Sequence, residues 1–392
     1  MRLLTRYVLR EICQVFLVTL LSLTLLMVLV GAVKEAINQG LGLAQIVQLL
    51  PYLLPNALMF AVPGTILFAV SSVYGRMSAT NELIALKSLG LSPMIVIWPA
   101  LMLATLLSFS TVWLNDLAVS WGFHGVQRVV IDALEDIAYG MLRTHKSFNS
   151  ATFSVTVRAV EGKKLIAPNF SLPSGDDSGP VSLWAKYAYL HSTPGSGKLT
   201  IELYDSTIDS PTLHANHPGR FEREIEVGPG GGKVDKSPAH LALYEIPAAL
   251  ARQREEIEQV EERMVALAGF QSFTGDFDAL WGGSWKGDSE SLRRSSFELY
   301  RLQTEPPRRW AAGFSCLCFA LVGTAMAIRM KNSDALRSFA LVFFPILVVY
   351  YPLLAFGVDR AKAGAITPYA VWMGNAMLVL WGTWLLRRVI RY

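Results

Sequence analysis

The residue types able to do chemistry are present in this chain, but they are scattered. All six histidines, His124, His145, His191, His214, His217 and His240, fall in its middle. His214 and His217 have H-x-x-H spacing, yet they sit in a stretch of period-two alternation, where residues three apart do not share a face. No Cys and no H-E-x-x-H accompanies them, so no metal site is expected. Lys233 follows a glycine run, but Val234 stands where a phosphate loop needs Ser or Thr; the run is read as a flexible loop closing a sheet. Asn169-Phe-Ser171 matches the three-residue glycosylation sequon, a pattern too short to carry weight alone, and no G-x-S-x-G nucleophile motif occurs. The expectation is no catalytic residue, no metal, no cofactor, and a protein that is not itself an enzyme.

The elements around these residues explain their dispersal. Of 392 residues, 52% are hydrophobic and only 17% charged, against ~25% charged in soluble domains. That excludes disorder, a nucleic-acid-binding tail and a conventional cytosolic enzyme. From Ile12 to Val33 run 22 residues without a charge, a helix of ~33 Å that crosses a ~30 Å hydrocarbon core. Similar runs follow at about Leu53 to Tyr74, Met94 to Leu114, Ala311 to Ile328, Phe339 to Val358 and Ile366 to Leu386, which predicts six spans in a 3+3 arrangement. The first run is too long for a signal peptide and no A-x-A site follows, so it reads as a retained anchor. None of the six runs contains an Asp, Glu, Lys, Arg or His, whereas ion-coupled transporters usually need an ionisable side chain there. If the protein moves something, its energy comes from outside.

Charge placement orients the chain. Of its 31 acids and 35 bases, 25 acids and 20 bases lie between Ala118 and Arg308, leaving net charges of −5 for the middle and +9 for the ends. Eleven Lys and Arg, among them Arg76, Lys87, Arg329 and Arg388, collect on one side of the spans, against Lys34, Arg360 and Lys362 in the other short loops. By the positive-inside rule both termini are cytoplasmic and the middle is exported. The expected organisation is 1–117 with three helices and a cytoplasmic helix near 78–90, 118–308 as an exported domain, and 309–392 with three more helices. Cys13, Cys316 and Cys318 all fall in or beside spans, so the exported domain folds without disulfides.

In that domain Phe153, Val155 and Val157, then Leu199, Ile201 and Leu203, alternate with polar neighbours. Turn clusters at Leu172 to Pro180, Thr193 to Gly197 and His217 to Gly219 separate the strands, predicting an antiparallel, jelly-roll-like β domain. A helical insertion follows near 248–267, with Leu250, Ile257, Val260, Met264 and Leu267 on one side and five glutamates elsewhere, read as a solvated face. Trp281 to Asp288 reads as loop.

The cytoplasmic segment from Ser78 to Gly90 reads as a short helix, with Ser78 or Thr80 as N-cap and Gly90 as left-handed terminator. Leu83, Ile84, Leu86 and Leu89 give it an apolar side that faces either lipid or another protein. Glu82 at its start gains little from an anionic membrane surface. Lys34, at the outer end of the first span, reads as a snorkelling interface anchor or as an ammonium placed for an anionic ligand.

Asn81 to Ser92, N-E-L-I-A-L-K-S-L-G-L-S, resembles the E-L-x-x-(L/M)-x-(A/S)-x-G-(I/L)-S signature of the LptF/LptG family of lipopolysaccharide-export permeases. The likeness includes Leu50 to Pro55, Pro63, Gly75-Arg76, Phe153 to Gly162, Glu298 to Arg301, Pro306-Pro307, Pro368, Trp372 and Asn375. The resemblance implies an inner-membrane ABC transporter permease subunit that pairs with a second such subunit. It further implies a cytoplasmic ATPase dimer and a periplasmic jelly-roll bridge protein as partners, lipopolysaccharide or a similar anionic glycolipid as substrate, and no nucleic acid. On it Glu82, with Leu83, Leu86 and Gly90, is the coupling helix that docks on the ATPase. Gly31-Ala-Val-Lys34 looks like the G-x-x-K context in which Lys34 faces lipid phosphates. The stretch from Glu245 to Glu298 is longer than in most members. The rivals are a membrane-tethered scaffold or sensor that transports nothing, and a lipid-modifying enzyme.

Overall fold

The computed structural model describes residues 2–39, 43–123, 125–126, 128–129, 134–149, 154–172, 181–192, 198–210, 213–226, 237–275, 283–330 and 334–391. Phe153, the turn clusters at 173–180 and 193–197, the glycine run, His124 and Trp281 lie outside them. The chain divides into two compact units, one of Met1–Met27, Leu54–Ser120 and Ser237–Tyr392, the other of Val28–Leu53 and Trp121–Lys236.

The uncharged runs become six helical segments long and apolar enough to cross a membrane. They are α1 (Arg2–Gln39), α2 (Leu43–Ala79), then after the short α3 (Glu82–Ser88), α4 (Met94–Leu117). A π-helical segment, Ala118–Phe123, prolongs α4, and α5 (Leu134–His145) leads to the sheet. Beyond the sheet come α6 (Ile246–Thr274) and α7 (Gly283–Met330). Next are α8 (Ala335–Pro345) and α9 (Tyr351–Lys362), joined by a π-helical turn into one span, and finally α10 (Met373–Arg391).

In the first unit α4 and α10 pack on α7. A Cβ at Gly313 of α7 would collide with Val112 of α4, and one at Gly382 of α10 with Leu321; small residues at such crossings let helix backbones approach. Polar side chains join the same helices. Ser108 Oγ accepts from Leu317 N at 3.2 Å, and Asn375 Nδ2 donates to Ala311 O at 2.8 Å.

Helix α7 runs unbroken through Pro306 and Pro307 for 48 residues, about 72 Å at 1.5 Å per residue. The segment expected as loop up to Asp288 is therefore helix from Gly283 onward. Two glycines weaken it locally, and packing against α6 compensates. Half-buried positions 250, 257, 260, 264, 267 and 271 of α6, with buried Ile246 and Gln253, follow a four-three spacing. Trp285, Asp288, Leu292, Ser295, Leu299 and Leu302 do the same on α7. This is the seam of an antiparallel coiled-coil hairpin. Its outer side leaves Glu255, Glu256, Glu258, Glu261 and Glu262 exposed.

The second unit is built on an eight-stranded sheet in which every pairing is antiparallel: β1 (Ser147–Asn149), β2 (Ser154–Thr156), β3 (Ala159–Glu161), β4 (Lys164–Ile166), β5 (Asn169–Leu172), β6 (Val181–Ser192), β7 (Lys198–Ser210) and β8 (Leu213–Glu226). Its order is β1-β2-β5-β6-β4-β3, with β7 on the other edge of β6 and β8 beyond it. Strand β6 pairs with β5 up to Trp184 and with β4 from Tyr187. Its buried positions change phase at that switch, Leu183 and Ala185 before it, Ala188 and Leu190 after it. The sheet thereby curls around a core that includes Val155, Leu165, Phe170, Ile201 and Leu203. Residues His217 to Gly219 do not end a strand. They lie within β8, where a bulge opposite Asp205 absorbs Gly219 at φ +106°. Tyr139 of α5 closes the core: its hydroxyl donates to Lys163 O at 2.7 Å and accepts from Leu190 N at 2.9 Å.

Candidate functional site

Helix α3 lies in the bend between α2 and α4. Three contacts fix that bend. Tyr74 OH of α2 donates to Val96 O of α4 at 2.8 Å, Arg76 pairs with Glu11 of α1, and Ser78 Oγ donates to Ile328 O of α7 at 2.6 Å. Ser78 therefore does not cap α3, and neither does Thr80, whose hydroxyl donates to Glu82 Oε1 at 2.9 Å. The N-cap position is Asn81, left-handed at φ 61° and without a side-chain cap bond. At the other end Gly90 takes φ +73°, its amide bonding Lys87 O at 2.9 Å while Leu91 N bonds Leu86 O at 3.1 Å. Only a residue without a Cβ adopts that turn unstrained.

Two turns of helix divide four apolar side chains. Leu83 is buried (4% exposed) in a core shared with α1, α2, α4 and α7, and Leu86 packs against that core. Ile84 and Leu89 point outward, 48% and 74% exposed, beside exposed Ala85 and Ser88. Glu82 is half-buried at the helix start. Leu83 and Leu86 thus hold α3 in place, while Ile84 and Leu89 are exposed and Glu82 half-buried. Lys87 fastens the far side, its Nζ donating to Val389 O of α10 at 2.9 Å. Ser78, near the end of α2, and Lys87 of α3 thus tie this bend to α7 and α10.

Lys34 belongs to the other unit. It is exposed near the end of α1, beside exposed Val33, and one helical turn beyond Gly31.

Sequence inspection missed a second feature of the first unit, an ionic cluster between the end of α4 and the middle of α7. Arg309 is fully buried and Glu305 is 1% exposed. Arg309 Nη2 donates to Leu241 O at 2.6 Å and Ala239 O at 3.2 Å, and Nη1 to Asp116 Oδ1 at 3.4 Å. Asp116 also accepts from Leu243 N at 2.7 Å, while Arg308 and Lys362 stand 2.7 and 3.7 Å from the Glu305 carboxylate. The cluster straps residues 239–243 to the end of α4 and the middle of α7. The one available signal was a run of charges immediately before Ala311, just beyond the uncharged run.

No group of three or more His, Cys, Asp or Glu among the described residues is arranged to hold a metal. Comparison with curated proteins finds none that matches. The family model of the lipopolysaccharide export system permease LptF/LptG matches residues 6–388. Six apolar helices, an inserted antiparallel sheet and a match over nearly the whole chain place this protein in the LptF/LptG family of membrane permeases.

Proposed function

We propose that the chain is one permease subunit of an ATP-driven exporter that lifts lipopolysaccharide out of the inner membrane, with α3 as the element that receives the stroke of a separate ATPase. The observation that carries this reading is the division of α3 into a buried, fastened side and an open side of Glu82, Ile84 and Leu89. On this reading the basic end of the bundle is cytoplasmic, since Arg76, Lys87, Arg329, Arg387 and Arg388 resist translocation. Residues 118–308, with the curled sheet and the α6–α7 hairpin, then lie in the periplasm.

A second permease subunit of the same family completes the path, and the sheet passes the lipid to a periplasmic bridge of similar domains. Lys34, exposed at the outer end of α1, meets the phosphates of the entering lipid. An ammonium on a flexible stem suits that contact.

Affinity purification of the full chain from its native membrane tests the assembly. The expected result is recovery of an ATPase and a second six-span subunit. Glu82→Lys should abolish ATPase recovery and lipopolysaccharide export; intact recovery and export would remove α3 from the mechanism. For Lys34, photocrosslinking to lipid A should succeed at that position, and failure there beside positive neighbours would reduce it to an interface anchor.

A further inference from the structure

Beside α3 the ends of α7 and α10 leave a cavity of about 810 Å³. Its walls divide by chemistry. Lys87, Arg329 and Arg388 supply three cations, while Leu83, Ile84, Ile328 and Val389 are apolar. Among the described residues that line it there is no carboxylate. Lys87 is held in the wall by its bond to Val389 O, and Arg388 lies over the Trp384 ring at 4.0 Å. Ile328 ends the uncharged run of α7, and an exposed Trp one turn before Arg388 belongs at headgroup depth. The apolar wall is therefore level with the start of the acyl region and the cations are level with the phosphates.

We infer that this cavity is a binding site for an anionic glycerophospholipid, its phosphodiester between Lys87, Arg329 and Arg388 and its glycerol and first methylenes against Ile328 and Val389. Basic pockets between spanning helices recognise anionic headgroups in this way. Charge complementarity selects the anionic lipid over a zwitterionic one, and the apolar wall selects a lipid over free phosphate. The site is independent of the export reading, because it needs neither the ATPase nor lipopolysaccharide. A lipid there would brace the cavity side of α3 against α7 and α10 and cover part of Ile84, while Glu82 and Leu89 are not among the described residues that line the cavity.

The test uses the full chain alone, reconstituted in nanodiscs of phosphatidylcholine and phosphatidylglycerol, re-extracted in mild detergent and weighed by native mass spectrometry. Phosphatidylglycerol should be retained in preference to phosphatidylcholine, and excess inorganic phosphate should not displace it. The double variant Arg329→Gln, Arg388→Gln should lose retention by roughly thirtyfold. Arg329→Lys with Arg388→Lys should restore most of it. Both arginines are exposed, so the variants should fold, which an unchanged Tm verifies. Equal retention of the two lipids, or a double variant that holds phosphatidylglycerol as wild type does, would overturn the site. So would release of the lipid on adding purified ATPase, which would give the cavity to a carboxylate of that subunit.

Discussion

The two ends of the helical unit use charge in opposite ways. At the end bearing α3 the cations Arg329 and Arg388 are exposed, and among the described residues no carboxylate lines the cavity they share with Lys87. At the other end Arg309 and Glu305 are buried, and Asp116, Arg308 and Lys362 complete a closed set of pairs. Buried ions hold a structure because removing one strands the others in low dielectric. Exposed ions contribute little to stability and remain available to partners. One end is thus built to stay shut and the other to be met.

The sharpest way to break this contrast is a pair of matched substitutions. Arg309→Ala should destabilise the protein by about 3–5 kcal/mol, since Asp116 and Glu305 lose their buried cation. Arg388→Ala should change stability by less than ~0.5 kcal/mol. Thermal unfolding in detergent reads both, and similar losses would erase the distinction.

The same contrast recurs within α3. Leu83→Ala removes a side chain from the core and should cost about 2–4 kcal/mol. Leu89→Ala should leave Tm unchanged while weakening ATPase association. If Leu89→Ala destabilises as much as Leu83→Ala, the open face is covered by the chain itself.

The sheet unit offers a third comparison, between a bonded buried phenol and the exposed aromatic Trp184. Tyr139→Phe leaves Leu190 N and Lys163 O without their partner and should cost about 1–2 kcal/mol, whereas Trp184→Ala should cost less. Burial also raises the Tyr139 hydroxyl above its ordinary value. Its contribution is therefore complete below the unfolded value near 10 and declines as pH rises through the folded one. Alkaline unfolding should be blunted in Tyr139→Phe.

Gly90→Ala should cost about 1 kcal/mol, because nothing crowds a Cβ there and only the positive φ resists it.

Much of this architecture was legible in the residues. Uncharged runs located the spans because lipid tolerates nothing else over 20 residues, and Gly90 marked the end of α3 because its φ demands glycine. Strands β2 and β7 were visible as alternation. What escaped depends on partners far along the chain. Ser78 looks like an N-cap locally, but its hydroxyl finds Ile328 O, 250 residues away. In α3 the sequence presents four equivalent apolar residues, and only the packed neighbours decide that Leu83 turns in and Leu89 out. Arg309 lay one step outside an uncharged run, so its burial could not be read from hydropathy. The glycines near 283–287 read as loop, yet packing against α6 carries α7 through them, and the helix also runs unbroken through Pro306-Pro307.

The central claim is that the open face of α3, and not its buried side, couples this permease to an ATPase. The most direct test is ATP-driven release of lipopolysaccharide from proteoliposomes containing the full complex, with Leu89→Asp in α3 compared with wild type. The account predicts that Leu89→Asp keeps the wild-type Tm but loses release by tenfold or more, together with ATPase co-purification. Wild-type release by that variant, with the ATPase still bound, would contradict it.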